Sequence, residues 1–126
     1  MRWASVLTLL FLGAIPPVAR ADTIATSIEV TCDRDSRCRE AFKGYVKKAI
    51  EESGTHVFID DAAKASLHIK LVIAKNTEGD EILGYAVAFV AIRSADRTLV
   101  KLNNRYCRTD EVEEIVDREI REFVLH

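Results

Sequence analysis

Residues 66–93, SLHIKLVIAKNTEGDEILGYAVAFVAIR, decide the fold. In the first part apolar and polar side chains alternate, so Leu67, Ile69 and Leu71 share one face of a strand. Residues 77–80, TEGD, form a turn, and residues 82–92 return as a strand that is apolar on both faces. The stretch therefore predicts an antiparallel hairpin.

On either side of this hairpin the apolar period alternates between that of a strand and that of a helix. Residues 24–32 alternate, residues 36–53 form an amphipathic helix that Gly54 ends, and residues 57–59 form a short strand. Residues 98–107 add a further strand. Asp110 and Glu113 then predict a capping box for a last helix. Its predicted buried stripe is Val112, Ile115, Val116, Ile120, Phe123 and Val124.

The predicted order of elements is β-α-β-β-β-β-α. The helix between the first two strands implies a right-handed parallel crossover, and the last three strands form an antiparallel meander. With the first two strands pointing up, the other three should run down, up and down. The predicted fold class is α+β, a two-layer sandwich with a mixed sheet of about five strands, two helices on one face and the other face open.

The first 21 residues have the layout of a secretory signal peptide. Arg2 precedes an apolar run at residues 6–15, and residues 19–21, ARA, match a cleavage signal before Asp22. The alternative is an N-terminal anchor helix, but the run is half of the roughly 20 residues that span a bilayer. We therefore predict a signal peptide at 1–21 and a single domain at 22–126, periplasmic or secreted, without stable membrane insertion after cleavage.

The charge balance argues against nucleic-acid binding. Without Arg2 and Arg20 the chain keeps sixteen basic and twenty acidic residues, a formal charge of −4. A nucleic-acid binder needs excess positive charge to displace phosphate counterions.

The stretch CDRDSRC, residues 32–38, joins the first strand to the first helix, so Cys32 and Cys38 lie at the same end of the sheet. An oxidising compartment then favours a disulfide between them, worth about 2–3 kcal/mol. A redox pair usually has two intervening residues, and a zinc or calcium site needs more ligands, so no metal and no cofactor is predicted. Asp33 and Asp35 are expected to stabilise the helix N-terminus.

Cys107 is the odd cysteine. It ends the fifth strand, which the predicted directions place at the opposite end of the sheet from Cys32. Two interpretations remain: a free, buried thiol, or a thiol that forms an intermolecular bridge.

Catalytic motifs are missing from the sequence. There is no G-x-S-x-G stretch and no glycine-rich phosphate loop, and adjacent acidic pairs such as Asp60–Asp61 are typical of solvated turns. We predict that the protein is not an enzyme.

The open sheet face is the predicted partner-binding surface. Its candidate residues are His68, Lys70, Tyr85, Val87, Phe89, Lys101 and Arg105. The other side of the fourth strand, residues 84–92, is also apolar, so alternation does not say which side is open. An apolar strand with a polar rim is typical of a protein-binding patch, unless Lys70 and Lys101 cover it.

The order of elements, with Gly54, the short strand, residues 60–62 (DDA) and an alternating strand up to Ile73, resembles a family of small periplasmic modules. These are the N-terminal domain of the Tol system's propeller protein and the lipoproteins that activate penicillin-binding proteins. The resemblance implies an accessory adaptor that binds another protein or itself. The alternative function is a small envelope enzyme or ligand carrier that uses the His68 face.

Overall fold

The computed structural model describes residues 23–126, so the predicted signal peptide lies outside the described residues. The helices and strands follow in the predicted order. They are β1 (Ile24–Thr31), α1 (Ser36–Ser53), β2 (His56–Phe58), a 3₁₀ turn (Ala62–Lys64), β3 (Leu67–Glu78), β4 (Glu81–Arg93), β5 (Thr98–Arg108), α2 (Val112–Glu119) and a π-helical turn (Ile120–Val124).

The five strands form one mixed sheet in the order β2-β1-β3-β4-β5. β1 is parallel to both of its neighbours, and the pairs β3–β4 and β4–β5 are antiparallel. α1 and α2 pack against each other and bury their apolar stripes over the same side of the sheet. The predicted α+β two-layer sandwich is therefore confirmed.

The predicted direction of β3 is wrong, because β3 runs parallel to β1 and not against it. Residues 59–66 carry the chain from one side of β1 to the other. Both ends of this crossing are tied to β1, since Ile59 N donates to Thr26 O at 2.9 Å and Ser66 N donates to Ala25 O at 2.8 Å. β4 and β5 are reversed with it.

α1 begins and ends at the predicted residues. The Asp35 carboxylate accepts a hydrogen bond from Cys38 N at 3.1 Å, and Gly54 ends the helix with a left-handed φ of 75°. The predicted disulfide is confirmed, because Cys32 and Cys38 are bonded with their Cα atoms 6.1 Å apart. The disulfide therefore joins the end of β1 to the first turn of α1.

The predicted capping box of the last helix is wrong. α2 begins at Val112 after Glu111, which makes no side-chain cap, and Asp110 pairs with Arg108 at 3.6 Å instead. The predicted apolar stripe is confirmed: Val112, Ile115, Val116, Ile120 and Val124 are buried, and Phe123 packs against them.

Cys107 lies at the same end of the sheet as Cys32, and its predicted position at the opposite end is wrong. The reason is that β5 runs in the direction opposite to the predicted one. Cys107 pairs with Tyr85, and Tyr85 pairs with Lys75 near the end of β3, the strand parallel to β1. β5 is three strand intervals from β1, about 14 Å, which is too far for a bridge to Cys32. Cys107 is free and fully buried, and desolvation raises its pKa to about 11.

Candidate functional site

The open face of the sheet is apolar across its three longest strands. Strand register places three rows of side chains on it: Lys70–Val90–Leu102, Val72–Ala88–Asn104 and Ala74–Ala86–Tyr106. Val72, Leu102 and Tyr106 are 43%, 56% and 47% exposed, which is high for residues in the middle of strands. We use the name "open face" for these nine residues together with His68, which pairs with Ile92.

The Tyr106 side chain extends over Gly84 of β4 on the open face. A Cβ atom at position 84 would collide with its ring, so Gly84 leaves the space that the ring fills. Asn76 Nδ2 donates to the Tyr106 hydroxyl at 2.9 Å, which holds the ring over β4. Next to it, Val72, Ala74, Ala86, Ala88 and Asn104 line a shallow cavity of about 370 Å³. The face therefore presents a fixed aromatic ring beside an apolar depression.

Three of the predicted face residues lie on the other side of β4, under the helices. Val87 and Phe89 are 2% and 0% exposed, and the Tyr85 ring packs edge-on against Phe42 at 5.3 Å. Their prediction as partner-binding residues is wrong. The helices cover the side with the larger apolar side chains, because burying these removes more apolar area from water, and the small Ala86 and Ala88 face out.

Lys101 and Arg105 are also on the helix side, so their prediction on the open face is wrong. They are opposite Ala91 and Val87 in the register. Arg105 Nη1 lies 3.1 Å from a carboxylate oxygen of Glu119. Lys101 Nζ lies 5.1 Å from the centre of the Phe123 ring.

Glu119 is a buried carboxylate that our sequence analysis missed. It is 4% exposed and accepts from Asn103 Nδ2 at 2.6 Å as well as from Arg105. The sequence does indicate this burial, because Glu119 follows Val116 by three residues and so lies in the buried stripe of α2. A carboxylate there requires a cationic or amide partner, which the polar side chains of β5 supply.

His68 and Lys70 do lie on the open face, as predicted. Ser27 Oγ is 2.7 Å from His68 Nδ1, and His68 Nε2 is 3.1 Å from a Glu29 carboxylate oxygen. Lys70 Nζ reaches the other oxygen of Glu29 at 3.8 Å. Together these contacts join β1 to β3.

The serine, histidine and carboxylate of this network have the composition of a catalytic triad, but the serine is not accessible to a substrate. Ser27 is 2% exposed, so its hydroxyl is covered by neighbouring side chains, and both nitrogens of His68 already have partners. A nucleophile must reach its substrate. The network is therefore suited to holding strands together.

Residues 23–126 contain neither a metal-binding cluster nor a membrane-spanning helix. No group of three or more histidine, cysteine or acidic side chains converges there as a metal site. Among the same residues no helix is long and apolar enough to cross a membrane.

The fold and the disulfide define the class: a small two-layer α+β protein with a cystine of the kind that forms in oxidising compartments. No protein-family model matches the chain, and no curated protein matches its sequence.

Solved structures do share the fold. TolB from Acinetobacter baumannii superposes with a TM-score of 0.62 at 9% identity over 82% of this chain and 27% of its own. The PelC dodecamer from Paraburkholderia phytofirmans has a TM-score of 0.54 at 12% identity, with 82% and 84% of the two chains covered. The hypothetical protein CT253 from Chlamydia trachomatis has a TM-score of 0.60 at 9% identity, with 81% and 96% covered. The predicted resemblance to the Tol propeller protein is confirmed at the level of fold, and that to the penicillin-binding-protein activators stays a prediction.

Proposed function

We propose that this protein is an exported, non-catalytic module that binds a partner through its open face. The exposure of Val72, Leu102 and Tyr106 carries the proposal, because exposed apolar side chains clustered on one sheet face are typical of interaction sites. Tyr106 is suited to anchor a partner, since its ring is held in place before binding and loses little conformational freedom. His68, Lys70 and Asn104 supply the polar rim.

The partner that we propose is a second copy of this chain. One structure that shares the fold is described as a dodecamer, which supports self-association as a use of this fold. The charges next to the apolar rows also favour it. Glu29 and Lys70 lie side by side, so a twofold axis that passes between them would bring the carboxylate of each copy opposite the ammonium of the other.

The test is the mass of the exported protein by sedimentation equilibrium, with Leu102→Glu as the variant. We expect an oligomer for the unmodified protein and a monomer for the variant, because a carboxylate that replaces Leu102 would lose its solvation within the interface. Ala41→Glu is the matched control, since it adds the same charge on the exposed surface of α1. A monomer at every concentration of the unmodified protein, or an oligomer of the variant, would contradict the proposal.

The non-catalytic part of the proposal has its own test. The inaccessibility of Ser27 supports it, and we expect a serine-reactive fluorophosphonate probe to leave Ser27 unlabelled in the folded protein. Labelling of Ser27 would instead support the alternative enzyme that uses His68.

A further inference from the structure

A cavity of about 370 Å³ lies at the other end of the molecule, on the helix side of the sheet, beside the residues that follow the π-helical turn. Its apolar lining consists of Ile24, Leu67, Val100, Val124 and Leu125. Its polar lining consists of His56, Ser66, Arg93, Lys101 and His126. Size and lining both match those of small-molecule sites, which are concave, mostly apolar and carry a few polar groups.

One end of this cavity is positively charged. Lys101 lies over the Phe123 ring, and none of the ion pairs among residues 23–126 includes it. Arg93 pairs with Asp96 at 3.3 Å, but both side chains are more than half exposed, so this contact is weak and leaves the guanidinium free to move. The two cations lie on β4 and β5 and can approach one anion together.

The other end carries a buried histidine with an unused nitrogen. His56 is 8% exposed, and its Nδ1 lies 2.8 Å from Thr55 Oγ1. The other acceptor open to the Thr55 hydroxyl, Ser53 Oγ, is 3.4 Å away and already accepts two backbone N–H groups. The shorter contact favours donation from the hydroxyl to Nδ1, and in that tautomer the ring proton is on Nε2.

This Nε2–H group has no acceptor among the residues that the structure describes, although the ring is buried. Buried donors are nearly always paired with a protein group or with water, so an N–H group beside a cavity is placed to donate to an oxygen atom that enters it. Burial also lowers the pKa of His56, so that the ring is neutral at pH 7 and acts as a donor without adding charge.

We propose that this cavity binds a small amphipathic anion, namely an acyl chain with a carboxylate head. The carboxylate pairs with Lys101 and Arg93, and the chain lies against Leu67, Ile24 and the C-terminal residues. His56 Nε2 donates to an oxygen at the far end of the chain, so a chain with a terminal hydroxyl is preferred to a plain one. β2 and β5 are four strand intervals apart, about 19 Å, which a ten-carbon chain and the lysine side chain span together. This site is independent of the open face.

The experiment is titration of the exported, isotope-labelled protein with decanoate, decanol and ω-hydroxydecanoate, followed by NMR. Decanoate should shift the amide signals of Leu67 and Val124 and bind more tightly than decanol. Lys101→Gln should weaken decanoate roughly tenfold and leave decanol unchanged, since it removes one charge-assisted contact. Lys101→Arg, which keeps the charge, should retain binding.

Lys47→Gln is the matched control, because Lys47 Nζ also lies 5.1 Å from an aromatic centre, that of Phe58, but outside the cavity. Equal weakening by Lys47→Gln would make the effect one of net charge and overturn the proposal. So would equal affinities for decanoate and decanol, or the absence of shifts around the cavity. His56→Phe should abolish the preference for ω-hydroxydecanoate, and a preserved preference would contradict the role of Nε2.

The two sites are distinguished by Leu102→Glu. This variant should keep decanoate binding while it loses self-association, since Leu102 is on the opposite face of the sheet. Loss of decanoate binding in Leu102→Glu would place the ligand on the open face and overturn the cavity proposal.

Discussion

Truncation of Phe89 tests which face of β4 is buried, and with it the position of the proposed binding surface. Phe89 is 0% exposed and lies between Leu71 and Asn103 in the register, under the helices. Leu102 is 56% exposed and belongs to the open face. The substitutions Phe89→Ala and Leu102→Ala therefore remove a large apolar side chain from opposite sides of the sheet.

The expected losses in free energy of unfolding differ several-fold. Deleting a fully buried phenylalanine costs about 3–5 kcal/mol, because the transfer energy is lost and a cavity remains. Truncating an exposed leucine changes stability by about 0.5 kcal/mol or less. A domain of this size has about 5–15 kcal/mol in total, so Phe89→Ala should remove a large share of it.

The measurement is urea unfolding followed by circular dichroism, at a protein concentration low enough to keep the chain monomeric. With a slope of about 2 kcal/mol per molar urea, a loss of 4 kcal/mol moves the midpoint by about 2 M. Leu102→Ala should leave the midpoint nearly unchanged. A small shift for Phe89→Ala together with a large one for Leu102→Ala would mean that β4 presents its other face, and the open face would have to be redefined.

Three further predictions concern the first turn of α1 and the odd cysteine. The double variant Cys32→Ser, Cys38→Ser should lose about 2 kcal/mol in the same urea experiment, because the short loop is no longer closed in the unfolded chain; an unchanged midpoint would contradict this. Cys107 should remain unalkylated in the folded protein and take one label after unfolding without reductant, since it is buried and its pKa is raised to about 11; a covalent dimer by mass would show an interchain bridge instead. Asp35 has a pKa below its ordinary 3.8, mainly because Cys38 N donates to it, with Lys75 also contributing. The Asp35 charge therefore stabilises the fold above pH 3.8, and this contribution is lost as the pH falls through the pKa of the folded state. The difference in free energy of unfolding between the unmodified protein and Asp35→Asn should therefore disappear in acid. A difference that persists at low pH would contradict this.

The order of elements was predictable from the sequence, but the path of the chain was not. Apolar periodicity located every strand and both helices, because each element has one face in the core. The direction of β3 was not predictable because parallel strands are usually joined by a dozen or more residues, and only eight lie between β2 and β3, which are parallel but have β1 between them in the sheet. The short β2 makes this possible: its last residue, Phe58, is level with Thr26, and so is the first residue of β3, Leu67.

Which residues lie on the open face was only half predictable. His68 and Lys70 were placed correctly because β3 has one clearly polar side. β4 is apolar on both sides, so alternation alone does not distinguish them. The two sides of β5 were predicted the wrong way round, because polar side chains are expected to face water. In the structure Arg105 and Asn103 instead point to the helix side, where they contact Glu119. The sequence pattern of one strand does not contain this information, since it depends on a carboxylate in a distant helix.

Two adjacent residues of β5 test which side chains of this strand face the helices and which lie on the open face. Lys101 and Leu102 are neighbours in the chain, yet their side chains lie on opposite sides of the sheet, one at the cavity and one on the open face. Lys101→Gln should therefore weaken decanoate binding and leave the oligomer intact, and Leu102→Glu should do the reverse. If Lys101→Gln also dissociated the oligomer without unfolding the protein, the two surfaces would be coupled through β5, and they would have to be described as a single site.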